Sequence, residues 1–499
     1  MSDLILVLDQ GTTSSRAIIF DVRRGKILAL SQHEITQYYP KPGWVEHDAI
    51  EIWEKELQAA REALDIAGVS ASEIRCIGIA NQRETVVVWN AETGEPLCPA
   101  IVWQCRRTAS LCEELRKDTE LVNIVREKTG LLIDPYFSAT KINWLQDHIS
   151  GLRDQLVSGE ALIGTIESWL IWKLTGGRSH VTDTTNACRT LLFNIHEMAW
   201  DDVLLERFRI PRRALPAVCH PADDMGITDE SLLGARIPIT GAIGDQQAAL
   251  IGQKCVEPGL AKNTYGTGCF LLVNTGETPC LSKHGLLTTV AWSGPGRVQY
   301  ALEGSVFVGG AVVQWLRDEL GIVADAARTE ELALSVPDTG GVVFVPAFVG
   351  LGSPYWDPNV RGALFGLTRG TDKPHLVRAA LEAIAFQCCV LIQAVQEDAG
   401  FSLKSLRVDG GAAANVFLMQ FQADILGVSV ERPANLEVTA WGAACAAALG
   451  SGYWESLDDI DACATGAVFK PEMSESDRSR RIEEWHKAVS CARQWTSIV

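Results

Sequence analysis

The chain has 499 residues, of which 47% are hydrophobic and 21% are charged, and its formal net charge at pH 7 is −18. This length exceeds what one hydrophobic core usually supports, so we expect two domains, divided into residues 1–250 and 251–499. The acidic balance argues against nucleic acid and against a polybasic membrane contact as partners.

Composition also indicates the compartment. An apolar run begins directly after residue 3, without the basic segment and cleavage site of a signal peptide. The longest apolar stretch that we identify, Val438–Gly450, is too short and too rich in alanine and glycine to span a bilayer. The 14 cysteines form no C-x-x-C pair, and the nine histidines have no ligand spacing. We therefore predict a cytoplasmic protein with reduced cysteines, without membrane insertion and without a transition metal.

The first 90 residues alternate between strand and helix patterns. Apolar runs predict strands at 4–8, 16–22 and 26–31, joined by tight turns. Residues 48–68 have apolar residues at helical spacing, with Asp48 as the predicted N-cap and Glu51 three positions later. Two further strands are predicted at 74–82 and 85–90. This order is typical of an α/β domain with a mixed sheet.

The second half repeats the arrangement. A hairpin is predicted at 260–276, strands at 286–292 and 297–304, helices at 309–320 and 375–395, and strand–turn–helix units at 406–426 and 428–450. Two similar units, each opening with a polar hairpin tip, indicate an internal duplication with its join near residues 241–252. We expect the two halves to face each other across a cleft.

The two hairpin tips contain more hydroxyl and charged residues than a tight turn requires. The first follows Asp9 with "QGTTSSR", and the second is "TYGTGCF" at residues 264–270. Free backbone N–H groups and hydroxyls in such turns bind phosphate oxygens. Asp9 can hold a hydrated Mg²⁺, which keeps most of its waters, and Arg16 can contact a phosphate. Two such tips on one cleft predict a nucleotide site.

Several nucleotide-binding classes are excluded. The chain has no G-x-x-x-x-G-K-[ST] sequence, no H-R-D or D-F-G motif, and no third glycine after Gly266 and Gly268. Glycine pairs at 309–310 and 410–411 each lie next to a predicted helix, where the backbone can approach a ligand closely. Asn415 can offer its amide to a base or a ribose. Each glycine pair is equally compatible with simple packing of a helix against its neighbours.

Longer motifs carry a resemblance. They include "LDQGTTSSR", "NQRET", "AIVWQCRRT", "YFSATKINWL", "TDTTNACRTLLFNI", "GDQQAAL", "YALEGSVFVGG" and "GALFGLTRG", and they run through nearly the whole chain. With these motifs the chain resembles the FGGY family of carbohydrate kinases, and in particular the members that phosphorylate glycerol. The resemblance implies two actin-like (ribonuclease H-like) ATPase domains flanking a cleft, with ATP and Mg²⁺ as cofactors.

The resemblance also implies roles for single residues. Glycerol is bound by Arg83, Glu84, Trp103, Tyr136, Asp245, Gln246 and Phe270. The nucleotide is bound by Thr12, Thr13, Ser14, Arg16, Thr267, Gly310, Gln314, Gly411 and Asn415. Asp245 acts as general base on the primary hydroxyl, which attacks the γ-phosphate of ATP in line, and Asp9 (through water) and Asp245 hold Mg²⁺. The adjacent donor and acceptor at Arg83 and Glu84 suit neighbouring hydroxyls of a polyol.

The sequence differs from some family members in two features that are connected with regulation. Residues 231–240 keep Arg236 but lack the glycine-rich run through which some relatives bind fructose 1,6-bisphosphate, and no histidine lies between Asp223 and Gly241 for a phosphocarrier protein to phosphorylate. We expect neither form of regulation. Family members imply a homodimer or homotetramer. The alternatives are a kinase for another small sugar or polyol, and an ATPase switch of the actin or Hsp70 type that needs no small substrate.

Overall fold

The computed structural model describes residues 2–357, 359–434, 437–460 and 465–496. Its strands in chain order are β1 Leu4–Gln10, β2 Ser14–Asp21, β3 Lys26–Glu34, β4 Glu46–His47, β5 Ile74–Asn81, β6 Val87–Asn90, β7 Ala100–Ile101, β8 Ala161–Gly164, β9 Val181–Asp183, β10 Phe193–Asn194, β11 Ala199–Trp200, β12 Ala217–Cys219, β13 Ile239–Gly244, β14 Leu260–Tyr265, β15 Cys269–Gly276, β16 Leu287–Gly294, β17 Arg297–Val306, β18 Val343–Val345, β19 Ala363–Phe365, β20 Ser405–Asp409, β21 Val430–Pro433 and β22 Thr465–Phe469.

The α-helices lie mainly between these strands and cover the sheets. They are α1 Ala49–Ala67, α2 Ala109–Leu115, α3 Thr119–Thr129, α4 Ser138–His148, α5 Leu152–Ser158, α6 Ile166–Leu174, α7 Thr184–Ala187, α8 Asp202–Arg207, α9 Glu230–Leu233, α10 Asp245–Gly252, α11 Ala311–Asp318, α12 Arg328–Leu334, α13 Lys373–Ala399, α14 Val416–Leu426, α15 Val438–Gly450 and α16 Glu475–Thr496.

Two large sheets share one arrangement. The first has the order β13-β5-β1-β2-β3, with the three N-terminal strands antiparallel and β5 and β13 parallel to β1. The second has the order β16-β17-β15-β14-β20-β21-β22. In it, β17, β15 and β14 are antiparallel, and β20 and β21 continue parallel to β14. The repeat confirms the predicted duplication, with β16 and β22 added at the edges of the second sheet.

The first helix forms as the sequence predicts. The Asp48 carboxylate accepts hydrogen bonds from the backbone N–H groups of Ile50 (2.8 Å) and Glu51 (3.3 Å) and so caps α1. The Glu51 side chain accepts instead from the Thr36 hydroxyl at 2.9 Å. Gly68 ends the helix in the left-handed conformation, at φ 65°.

Helix α15 crosses between the halves of the chain. It lies in the second half of the sequence but packs on α10 and on β1, β5 and β13 of the first sheet. Glycines permit this contact, since a Cβ on Gly442 would stand 1.8 Å from the Ala248 carbonyl oxygen and one on Gly78 would stand 2.5 Å from that of Ala443. The alanine and glycine content of α15 therefore serves backbone-to-backbone packing. The division between residues 250 and 251 stays a prediction.

Helix α13 is a longer apolar segment than Val438–Gly450, which the sequence analysis named as the longest apolar stretch. Among the described residues it is the one helix long and apolar enough to cross a membrane, whereas the sequence analysis singled out the shorter segment of α15. In α13, 78% of the most apolar 18-residue window is buried inside the protein. Sixteen of its residues are buried, and all of them except Glu382 belong to the hydrophobic core of the second domain. A core helix of this kind has the same length and hydropathy as a membrane span.

Candidate active site

The first hairpin tip, between β1 and β2, holds Asp9 in an ion pair. The turn is closed by a hydrogen bond from the Gly11 N–H to the Ser14 carbonyl at 2.9 Å. Arg16 donates to Asp9 from one nitrogen and to Glu437 from another, the latter at 2.8 Å. Burial raises the pKa of Asp9, and Arg16 opposes that shift. Two carboxylates engage the Arg16 guanidinium, so the phosphate contact expected of Arg16 stays a prediction.

The second hairpin tip packs on the start of α11. The Thr267 carbonyl accepts from the N–H groups of Gly309 (2.8 Å) and Ala311 (3.0 Å), and the Gly266 carbonyl accepts from Gly310 at 2.8 Å. Gly310 is required here because a Cβ would stand 2.8 Å from the Gly266 oxygen. The structure thus brings Thr267 and Gly310 together, with Gln314 one turn further along α11.

A third segment lies beside this tip. Gly410, at φ 86°, packs so closely on Tyr265 that a Cβ would meet its carbonyl oxygen at 2.6 Å, whereas a Cβ on Gly411 would meet open space. Asn415 caps α14 by accepting from the Leu418 N–H at 2.9 Å, and its amide donates to Thr329 at 3.2 Å. The Asn415 carboxamide is therefore used within the protein, and its nucleotide contact stays a prediction.

Arg83 and Glu84 follow β5 and are almost fully buried, at 3% and 1% exposure. Glu84 is in the left-handed region with φ 60°, which is strained for a residue with a side chain. Its carbonyl accepts from the Ser138 hydroxyl at 3.1 Å and from the Lys141 ammonium at 3.4 Å. Lys141 also donates to the carbonyls of Tyr136 and Phe137. These contacts hold the backbone so that the Glu84 carboxylate enters the site.

Asp245 is the first residue of α10, and its side chain is 34% exposed. Its carboxylate accepts from the Gln246 backbone N–H at 2.7 Å and from the Gln246 amide at 3.0 Å. Nε of Arg83 lies 3.3 Å from Asp245 Oδ1. The Gln246 side-chain oxygen in turn accepts from Lys262 of β14. Asp245 is thus a partly open carboxylate oriented by Gln246 and Arg83 of the N-terminal half, and Lys262 of the second half holds Gln246 in turn.

Aromatic rings from both domains enclose this region. The Trp103 ring lies 5.6 Å from that of Tyr136 and 6.1 Å from that of Phe270 in β15, both in edge contact. The Trp103 indole N–H donates to the Thr12 hydroxyl at 2.9 Å. Trp103 therefore links the first hairpin tip to the strand that follows the second tip, and the two tips face one cleft.

The acidic groups of the cleft fit a hydrated divalent cation. Asp245 lies close enough to Asp9 and to Asp409 to affect the pKa of both, and the buried Lys262 lies near Asp409 and Asp245. Burial raises the pKa of Asp9 and of Asp409, and Asp245 adds to both shifts. Carboxylate oxygens are the ligands that Mg²⁺ prefers, and a cation here would offset their mutual repulsion. The described residues hold no group of three or more His, Cys, Asp or Glu side chains arranged as a metal site.

Comparison with known proteins decides the family. The N-terminal domain of the FGGY family of carbohydrate kinases matches residues 4–252, and its C-terminal domain matches residues 261–451. The chain belongs to the FGGY family of carbohydrate kinases.

Several relatives carry more specific names. Glycerol kinase 2 of Thermotoga maritima is 54% identical over 492 residues, 98% of this chain and 99% of that protein. Glycerol kinase of Halorhodospira halophila is 56% identical over 98% of this chain and 97% of its own length. Plasmodium falciparum glycerol kinase, solved with ADP, superposes with a TM-score of 0.92 at 38% identity over 98% of each chain. A xylulose kinase of Lactobacillus acidophilus, at 22% identity and a TM-score of 0.87, shares the fold. The actin-like fold expected from the sequence is confirmed.

Some charged residues of this FGGY kinase site were not found from the sequence. Glu303 of β17 and Arg189 after α7 are both fully buried, and they bond to Arg83 and Glu84. Both stand in stretches quoted above for their resemblance, "TDTTNACRTLLFNI" and "YALEGSVFVGG", but neither received a role. For Glu303 the available signal was a charged residue inside an apolar strand, because such a residue is rarely buried without a partner. Arg189 lies outside the strands and gave no such signal.

Proposed function

We propose that the chain transfers the γ-phosphate of ATP to glycerol and forms sn-glycerol 3-phosphate. One observation carries the proposal: Arg83, Glu84 and Asp245 converge beside a wall of three aromatic rings, in a chain about 55% identical to glycerol kinases along nearly its full length. The charged groups suit hydroxyls, and the rings suit the carbon backbone of a short polyol.

Asp245 is the proposed general base. Its carboxylate is partly open to the cleft, and Gln246 and Arg83 fix its orientation. In this role it accepts the proton of the primary hydroxyl as that oxygen attacks the γ-phosphorus, and ADP leaves on the opposite side. In this proposal the two hairpin tips position the phosphates of ATP, and such positioning carries most of the rate in phosphoryl transfer.

Mg²⁺ is a proposed cofactor, with Asp9 and Asp245 as the residues that would hold it, Asp9 through water. When bound, it supplies positive charge to the phosphate oxygens. The nucleotide roles of Thr12, Thr13, Ser14, Gly411 and the other residues named above remain part of the proposal. So do a cytoplasmic location and a homodimeric or homotetrameric assembly.

The test is ADP release with MgATP on glycerol, dihydroxyacetone, erythritol, xylulose and gluconate, with a control lacking any polyol. We expect turnover on glycerol well above all the others, because we infer that the close rings of Trp103, Tyr136 and Phe270 would crowd a longer chain. Preference for a longer sugar would move the chain to another substrate within the family. Equal ADP release with and without polyol would indicate a switch ATPase instead.

A further inference from the structure

Four buried charges form a closed cluster across the two domains. Glu303, in the middle of β17, accepts from Arg83 Nη1 at 2.7 Å and Nη2 at 3.1 Å, and from Arg189 Nη2 at 2.8 Å. Arg189 Nε donates to Glu84 Oε1 at 2.6 Å. All four side chains are 0–2% exposed, and their charges sum to zero. Arg83, Glu84 and Arg189 come from the N-terminal half, whereas Glu303 comes from the second sheet.

We propose that Glu303 and Arg189 are positioning residues of the polyol site, a statement that rests on the function proposed above. The two carboxylate oxygens of Glu303 accept hydrogen bonds from Nη1 and Nη2 of Arg83, which makes the pair bidentate. This pairing fixes the plane of the Arg83 guanidinium and directs its Nε towards Asp245. Arg189 uses the opposite end of the cluster to hold one oxygen of Glu84. The groups expected to meet the polyol hydroxyls are therefore oriented by Glu303 and Arg189.

Electrostatics explains why Glu303 is needed. Arg83 and Arg189 are buried side by side, and each guanidinium disfavours the charge of the other. Burial by itself would raise the pKa of Glu303, but Arg189 and Arg83 outweigh it and lower that pKa to about 2. Glu303 is thus ionised at every working pH. Without its charge, two buried cations would share Glu84 and Asp245, and Arg83 would turn from its present direction.

One nitrogen of the Arg189 guanidinium is a hydrogen-bond donor without an acceptor among the described residues, and the guanidinium lies beside aromatic rings. Its guanidinium carbon lies 5.7 Å from the centre of the Tyr136 ring and 5.3 Å from that of Phe137. Its Nη1 is buried without a hydrogen-bond partner in the part of the chain that the structure describes. Buried donors are rarely left unpaired, so this N–H is suited to a bound hydroxyl or water.

The hydrogen-bonded ion pairs of this cluster also connect the two halves of the chain. Because Arg83 and Glu84 belong to the N-terminal half and their anchor Glu303 belongs to the second sheet, we expect polyol affinity to depend on how the second sheet is docked. The second sheet also carries the hairpin tip assigned to the nucleotide. A change at Glu303 should therefore weaken polyol binding even when no nucleotide is present.

The experiment compares Glu303→Gln with Glu382→Gln as a matched control. Glu382 is also a buried carboxylate of the second domain between two arginines, with Arg378 at 3.1 Å and Arg481 at 2.6 Å, but it belongs to α13 and faces α16. Both variants lose one buried charge, so both should unfold at lower temperature than the wild type. We expect only Glu303→Gln to raise the glycerol KM, by at least about tenfold, with the ATP KM within about threefold of the wild type.

Two further measurements separate positioning from general destabilisation. Calorimetric titration with glycerol alone should show the same weakening as the KM in Glu303→Gln. In the charge-balanced variant Glu303→Gln/Arg189→Gln, we expect thermal stability to recover in part while the glycerol KM does not. Recovery of both together, or an equal rise in KM in Glu382→Gln, would overturn the proposal.

Arg189→Lys decides the matter if Glu303→Gln does not fold. Lysine keeps the charge but cannot span Glu84 and Glu303 at once, so we expect the glycerol KM to rise at least about tenfold. A glycerol KM within threefold of the wild type would refute the positioning role. Wild-type turnover on glycerol is measured first, so failure of the proposed function would appear there and not in the variants.

Discussion

The contact between α15 and α10 gives the sharpest prediction for stability. In Gly442→Ala, the new methyl carbon would stand 1.8 Å from the Ala248 carbonyl oxygen, whereas ordinary contacts begin at about 3.4 Å. The helices must then separate by about 1.6 Å, because backbone on both sides leaves no side chain that could rotate away. Overpacking of this kind costs about 1–3 kcal/mol, and we expect the upper end.

The expected results follow from that displacement. A loss of about 3 kcal/mol corresponds to a fall in Tm of roughly 6–12 °C for a domain of this size. Ala248 lies one turn after Asp245 in α10, so the same shift moves the proposed base, and a displacement of about 1 Å costs roughly a hundredfold in rate. Thermal unfolding followed by circular dichroism, and glycerol-dependent ADP release at 25 °C, measure the two effects.

A matched glycine serves as control. A Cβ on the exposed Gly370 would come no closer than 3.8 Å to the Thr368 hydroxyl, and its φ is not positive. Gly370→Ala should leave the free energy of unfolding within about 0.5 kcal/mol of the wild type. If Gly442→Ala matched it in both Tm and turnover, the tight packing of α15 on α10 would be refuted.

Three further predictions concern single side chains. Asp245→Asn should keep the wild-type Tm and nucleotide affinity but lose about 10²–10⁴-fold in turnover, and near-normal turnover would remove Asp245 from its role. Trp103→Ala breaks ring contacts and the bond to Thr12, so the glycerol KM should rise more than the ATP KM. Burial lowers the pKa of Lys141 from 10.5 to about 8. Unfolding therefore takes up a proton between these pH values, and the wild type should gain stability relative to Lys141→Met as pH rises from about 8 to 10.5. A stability difference that does not change with pH would contradict this.

The sequence by itself determined the local elements and the family. Both hairpins could be predicted because each alternates apolar arms with a short polar tip, and strand pairing across a tight turn involves neighbours in the chain. The Asp48 cap was likewise a local signal. Similarity along nearly the whole chain pointed to the fold and the kinase family without any knowledge of contacts.

Only the tertiary structure decided which distant charges meet. Glu303 lies 220 residues from Arg83, and Arg16 lies 421 residues from Glu437, yet each pair is hydrogen-bonded. No local pattern relates such positions, because their meeting depends on how two sheets dock. The same holds for α15. From the sequence it is only a short apolar segment, and its close packing on α10 and the first sheet becomes visible in the tertiary structure. Burial then determines the chemistry, since a charge removed from water must find its partner wherever the fold supplies one.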